Sequence, residues 1–184
     1  MDEFRSFQGQ LLIASPSLLD PNFHRTVVLV TEHTEEGAMG LVLNRPADVA
    51  VLQAAPKLAP LVEESARLHI GGPVQQEAVV VLAELDDPSQ AALVVLGDVG
   101  FLSADADPHE LAGALRRARV FVGYAGWSAE QLESELEESA WILEPAERED
   151  VFAADPEGLW SAVLRRKGGS FAAPALMPPD PSVN

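Results

Sequence analysis

A chain of 184 residues fits one domain, since two would each be small, and its 47% hydrophobic content is enough to bury a core. With 29 acids against 12 bases the formal charge is −17, which repels nucleic acid and anionic lipid unless a local basic patch intervenes. There is no cysteine, which excludes disulfides, thiolate nucleophiles and cysteine metal sites. The start, Met1-Asp-Glu-Phe-Arg-Ser6, shows no basic segment followed by an apolar one, so no secretory signal is expected. No apolar stretch reaches the roughly 18–20 residues of a membrane span, and a soluble cytoplasmic protein is expected.

Gln10–Ala14 is an apolar run that suits a buried strand. Ser15-Pro16-Ser17 and Asp20-Pro21-Asn22 are turn signals on either side of Leu18 and Leu19, which are expected to pack inward. Thr26–Thr31, β-branched nearly throughout, is the strongest strand signal. The polar turn Glu32–Gly37 links it to Ala38–Leu43 as an antiparallel hairpin. Asn44-Arg45-Pro46 ends the hairpin, and Asp48 is expected to cap a helix over Val49–Ala55. Lys57–Arg67 reads as loop with a helical turn. Leu68–Ile70 is a strand entering Gly71-Gly72-Pro73, Ala78–Ala83 a central strand, and Leu93–Leu96 with Val99–Ser103 a second hairpin turning at Gly97-Asp98.

Asp107-Pro108-His109-Glu110 has the N-cap, N1 and N3 residues of a helix start, placing Leu111 and Leu115 on one face and Arg116, Arg117 and Arg119 at the C-terminal end. Val120-Phe121-Val122 reads as a strand, Gly123–Ser128 as a tight glycine turn, and Ser128 with Gln131 as a capping box opening a helix with Leu132 and Leu136 inward. Trp141–Leu143 is a short strand and residues 144–150 an acidic turn. Asp155-Pro156 opens a last helix that buries Trp160, Val163 and Leu164 and stops at Gly168-Gly169. Residues 173–184, rich in proline, read as an extended tail after a single domain over 1–172. Interleaved strands and helices, with at least two hairpins, imply an α/β fold of mixed α+β type: a largely antiparallel sheet with helices packed on it.

Several constellations carry two readings. His24-Arg25 after a turn is either an anion or carboxylate site or a surface arginine paired with one of the many acids. Glu32-His33 is either an acid–base pair or a polar contact beside a turn. The four histidines stand singly with no metal-ligand spacing, so neither metal nor cofactor is called for. Gly71-Gly72-Pro73 lacks the residues of a phosphate loop and equally makes a sharp bend at a sheet edge. Tyr124 and Trp127 flank Gly126 as either a ligand platform at a helix start or a tight joint with both rings in the core. No nucleophilic serine motif is present, and the acidic helix around Glu130–Glu138 reads as a solvated face.

Leu11-Leu-Ile-Ala-Ser-Pro-Ser17, Asp20-Pro-Asn-Phe-His-Arg25, Glu32-His33, Glu36-Gly-Ala-Met-Gly40, Asn44-Arg-Pro46, Gly71-Gly-Pro-Val74, Gly123-Tyr-Ala-Gly-Trp-Ser128, Gln131-Leu-Glu133 and Asp180-Pro-Ser-Val-Asn184 together resemble the YqgE/AlgH family. Ser128 stands where relatives commonly have glycine. The resemblance implies a compact α/β fold whose bent sheet forms a partial barrel. It also implies a cytoplasmic protein from a family whose members mostly lack an assigned activity, one branch being labelled a transcriptional regulator of alginate synthesis. Since the matching blocks are polar or glycine-rich turns, they imply a surface for an unidentified small ligand or protein partner, made of His24, Arg25, Asn44, Gly71, Gly72, Pro73, Tyr124, Gly126, Trp127 and Gln131. The competing reading is an enzyme using His24 or His33 with Glu32. Direct DNA binding is disfavoured by charge, and the oligomeric state is open.

Overall fold

The β-branched and apolar runs of the chain become strands of one large sheet in the computed structural model, which describes residues 3–178. The strands are β1 (Gln10–Ala14), β2 (Val27–Thr34), β3 (Gly37–Val42), β4 (Pro46–Ala50), β5 (Arg67–Ile70), β6 (Val74–Leu85), β7 (Leu93–Leu96), β8 (Val99–Phe101), β9 (Leu115–Ser128) and β10 (Trp141–Pro145). The helices are short: α1 (Val51–Ala54), α2 (Pro108–Leu111), α3 (Gln131–Glu137), α4 (Arg148–Val151), α5 (Leu159–Lys167) and α6 (Ala172–Ala175). The sheet order is β10-β1-β2-β3-β9-β6-β8-β7, with β5 beside β9 and β4 beside β5. Every pairing is antiparallel except β5 with β9. The result is a mixed α+β domain whose bent sheet stays open and does not close into a barrel.

The uninterrupted apolar character of β1 and β2 has a direct cause, since both faces of these strands are covered. Leu11, Ile13, Val27 and Leu29 pack with Leu41, Leu82, Phe121 and the α5 side chains Trp160, Val163 and Leu164. Leu12, Ala14, Val28 and Val30 pack on the other face with Trp127, Leu132 and Trp141. The Trp160 indole N–H donates to the Ala14 carbonyl at 2.9 Å, tying α5 to the end of β1. Gly168, at φ 75°, stops α5 as its position after the basic last turn predicts.

Several elements differ from the sequence expectation. Residues Glu32–Thr34 extend β2 rather than forming the turn. Asp48 caps no helix: it lies in β4 and accepts a hydrogen bond from Arg67 at 2.8 Å, and the helix behind it is the single turn α1. Leu19 is 74% exposed, whereas Leu18 packs against the Trp127–Trp141 side of the core. The helix opened by Asp107 ends at Leu111, so Arg116, Arg117 and Arg119 are strand residues. Gly123–Ser128 is not a turn but the C-terminal half of β9, and the chain reverses only at Ala129-Glu130, with Glu130 at φ 65°. The segment read as an extended tail, 173–184, begins inside the helical turn α6 (Ala172–Ala175), where Ala175 is buried; residues 179–184 lie outside the described residues.

Candidate functional site

The turn from Asp20 to Arg25 is built from its own backbone and side chains. The Asp20 carbonyl accepts from the Phe23 and His24 amides, and its carboxylate accepts from the Asn22 amide at 2.8 Å. Arg25 then adopts φ 56°, a left-handed conformation uncommon for a side chain of its size. Asn44 supports that conformation from β3's end. Its Oδ1 accepts from the Val27 amide and its Nδ2 donates to the Arg25 carbonyl, both at 2.9 Å. Next to it, Arg45 donates to the carbonyls of Asn22, Pro21 and His24 at 2.6, 3.0 and 3.3 Å. The turn thus carries two guanidinium groups on a defined frame.

Arg25 lies over the Trp160 ring at 4.2 Å and donates to the Met177 carbonyl at 2.9 Å. His24, Arg25 and Arg45 line a cleft of about 610 Å³ together with Leu19, Pro21 and Trp160. The His24 ring is tied by Nδ1 to the Leu18 carbonyl at 3.0 Å. Burial lowers the pKa of Arg25, and also that of Arg45, where nearby Asp20 partly offsets it. Both groups remain cations at any physiological pH. Among the described residues neither comes within ion-pair distance of a carboxylate; their hydrogen-bond partners are backbone carbonyls. In a chain with 29 acids and 12 bases, two cations without an ion-pair partner among the described residues are unexpected.

The other residues expected on this surface divide into separate clusters. Gly71 and Gly72 cross β9 at Gly123 and Tyr124, backbone against backbone. The Gly71 amide donates to the Val122 carbonyl, and its carbonyl accepts from the Val42 amide, each at 2.8 Å. An added Cβ at Gly71 or Gly72 would overlap the backbone of Gly123 or Tyr124. Pro73 follows this crossing, and Tyr124 packs against the main core. Trp127 is buried, with its N–H donated to Glu135 at 2.8 Å; Trp141 donates to the same oxygen at 2.8 Å, with the two rings edge to face. Gln131 accepts from the Ser128 amide at 3.0 Å and donates to Glu135 at 3.0 Å, so the expected Ser128–Gln131 pair forms, but as a brace on the β9–α3 turn. Gly126 is exposed.

Glu32 and His33 are neighbours on a strand and therefore point to opposite faces. Glu32 is exposed, while His33 is buried with Phe7 stacked on it. The His33 Nδ1 accepts from the Phe7 amide at 2.9 Å, which leaves Nε2 as the protonated nitrogen facing Glu133 at 2.7 Å. The carboxylate partner of His33 is thus Glu133, one hundred residues away, and not Glu32. Among the described residues, no group of three or more histidine, aspartate or glutamate side chains converges to hold a metal ion. Arg45 and Trp160 were not among the expected surface residues. Arg45 was visible inside Asn44-Arg-Pro46, but nothing in the spacing says that α5 delivers Trp160 beneath Arg25.

A mixed α+β domain with an open, mostly antiparallel sheet of this topology is met elsewhere. The AlgH-like family model matches residues 11–172. A UPF0301 protein of Thermobifida fusca is 44% identical, covering 97% of this chain and 96% of that protein. One from Streptomyces coelicolor is 42% identical, covering 100% of this chain and 98% of that protein. Among solved structures, a Corynebacterium diphtheriae protein superposes with a TM-score of 0.85 at 30% identity, over 96% of this chain and 95% of that one. The solution structure of AlgH from Pseudomonas aeruginosa gives 0.72 at 32% identity, over 98% of this chain and 100% of that one. The chain belongs to the AlgH-like family. No helix among the described residues is long and apolar enough to cross a membrane.

Proposed function

We propose that the protein is a binding protein with a regulatory role, which receives an anionic group with an apolar flank in the His24–Arg25–Arg45 cleft. The group is a carboxylate or phosphate on a small ligand or on a partner protein. The observation that carries this reading is the pair of guanidinium groups whose hydrogen bonds among the described residues go only to backbone carbonyls, with Arg25 above the Trp160 ring. Guanidinium forks match planar oxyanions, and the Leu19, Pro21 and Trp160 walls suit an apolar neighbour. Recognition is favoured over catalysis because no acid, hydroxyl or second base accompanies His24 and the two arginines among the described residues lining the cleft. Direct DNA binding is opposed by the −17 charge.

The test is a thermal-shift comparison of hexanoate, acetate and hexanol on the wild-type protein and on the double variant Arg25→Met with Arg45→Met. Hexanoate alone is expected to raise the wild-type transition in a saturable way and to leave the double variant unmoved. Equal shifts in both proteins, or an equal response to hexanol, would remove the anion from the account.

A further inference from the structure

A second cleft, of about 630 Å³, opens between the turn at Pro56–Leu61, β5 and the first half of β9. Arg67 and His69 reach it from β5, and Arg116, Arg117 and Arg119 from β9. Parallel pairing sets His69 opposite Phe121, so residues two apart on the two strands, Arg67 with His69 and Arg119 with Phe121, share one side of the sheet.

Most of this positive charge is answered. Arg117 meets Glu84 and Glu149, Arg116 meets Glu84 and Asp98, and Arg67 meets Asp48. Arg119 is different: it donates to the Val151 and Ala153 carbonyls at 3.1 and 3.2 Å and has no carboxylate within ion-pair distance among the described residues. Beside it, His69 is 4% exposed. Its Nδ1 lies 3.2 Å from the Arg67 carbonyl and so carries the ring proton. Nε2 is left as a bare lone pair, the one buried side-chain polar atom among the described residues with no hydrogen-bond partner. The ring does not relieve this by taking a second proton. Burial first, then the Arg119 and Arg67 charges, push its pKa down to about 4.

A buried acceptor beside an unanswered cation calls for a ligand that offers a donor to one and an oxyanion to the other. We propose that this cleft binds a small hydroxylated organic anion, a hydroxy acid or a phosphorylated polyol, whose hydroxyl donates to His69 Nε2 while its anionic group pairs with Arg119. The His69 ring lines the cleft, and Nε2 is closed to anything the size of a water molecule, so a donor entering by the cleft reaches it only as the lining side chains shift. This site is independent of the Arg25 cleft, and each stands or falls alone.

Long-range proton–nitrogen NMR spectra of the labelled protein report the tautomer and hydrogen bonding of each histidine. Titration with lactate or glycerol 3-phosphate is compared with propionate or propyl phosphate, which keep the anion and the carbon chain and lose the hydroxyls. The expected result is a saturable shift of His69 Nε2 by a hydroxylated probe, with binding about tenfold or more tighter than its deoxy partner. A response to lactate identifies the carboxylate source, and one to glycerol 3-phosphate the phosphate source. Arg119→Gln is expected to weaken binding about tenfold or more while keeping the Nδ1–H tautomer, and His69→Phe to abolish the preference for the hydroxyl. No saturable shift at His69 with either hydroxylated probe, or equal affinity for the deoxy partners, would overturn the proposal and leave Nε2 to water. The wild-type spectra decide the matter even if His69→Phe does not fold.

Discussion

Gly72 and Gly123 look like separate turn signals, but they are two halves of one crossing. Gly123 sits at φ 73°, and a Cβ there would overlap the Gly72 carbonyl oxygen. Gly123→Ala is expected to cost about 3 kcal/mol or more, since the clash is with backbone and the dihedral is unfavourable for alanine. Gly126, three residues on, has its nearest prospective Cβ neighbour, Tyr124 Cε2, at an ordinary 3.6 Å. Gly126→Ala should change stability by less than about 0.5 kcal/mol. Chemical denaturation of the two variants checks both values; equal costs would mean that the crossing is not what requires glycine. The glycine-rich block is legible in the chain, but which glycine is obligatory depends on the β5–β6 link some fifty residues away. Asn44 shows the same limit. The sequence marks it as a surface residue, yet its amide serves as a frame for Arg25.

At the scale of elements, β9 is where sequence reading and structure part most. Asp107 does start a helix, its carboxylate accepting from the His109 amide at 2.9 Å, but α2 stops within one turn. The i, i+4 spacing of Leu111 and Leu115 imitated a longer helix. What overrides it is pairing: Arg117, Arg119 and Phe121 lie opposite Glu84, Leu82 and Val80 of β6. Glu84, 4% exposed, accepts from Arg117 at 2.6 Å and lies 3.1 and 3.2 Å from Arg116 and Arg148. No local pattern in residues 116–119 names that partner, so helix-dipole complementation looked sufficient. Glu84→Ala should destabilise by about 2–3 kcal/mol, because it strips a buried carboxylate from three cations that retain other, more exposed partners. Asp48→Ala, which breaks an exposed pair with Arg67, should cost less than about 1 kcal/mol. Urea titrations that gave the two variants the same cost would contradict the central role of Glu84. By contrast, β1, β3 and the β7–β8 hairpin are legible to within two residues, and β2 except for its last three, since both-sided burial and tight turns leave strong local marks.

Over the whole molecule, the −17 charge and the buried His69 ring both make acid conditions informative. Burial holds the folded pKa of His69 at about 4, below the ordinary histidine value of 6.5. Between those values the unfolded chain binds a proton that the folded one does not, so stability rises with pH and is lost as pH falls from 6.5 towards 4. The loss attributable to this ring is at most about 3 kcal/mol. Glu149 acts lower: hydrogen bonds from Arg117 depress its pKa, so its contribution is present above the usual carboxylate range and disappears below it. Denaturation curves at pH 7 and 4.5 should show the wild type losing more stability than His69→Gln. If the variant loses as much, the ring is not held neutral by the fold.

The reading of the molecule as a binding protein rests on Arg25 and Arg45, and their own signals test it most directly. Arginine Nε–H resonances followed during a hexanoate titration should show those of Arg25 and Arg45 moving together and saturating, while Arg117, already paired with Glu84 and Glu149, stays in place. If neither moves, or if all arginines drift alike without saturation, the cleft above Trp160 does not receive an anion and the proposed function fails.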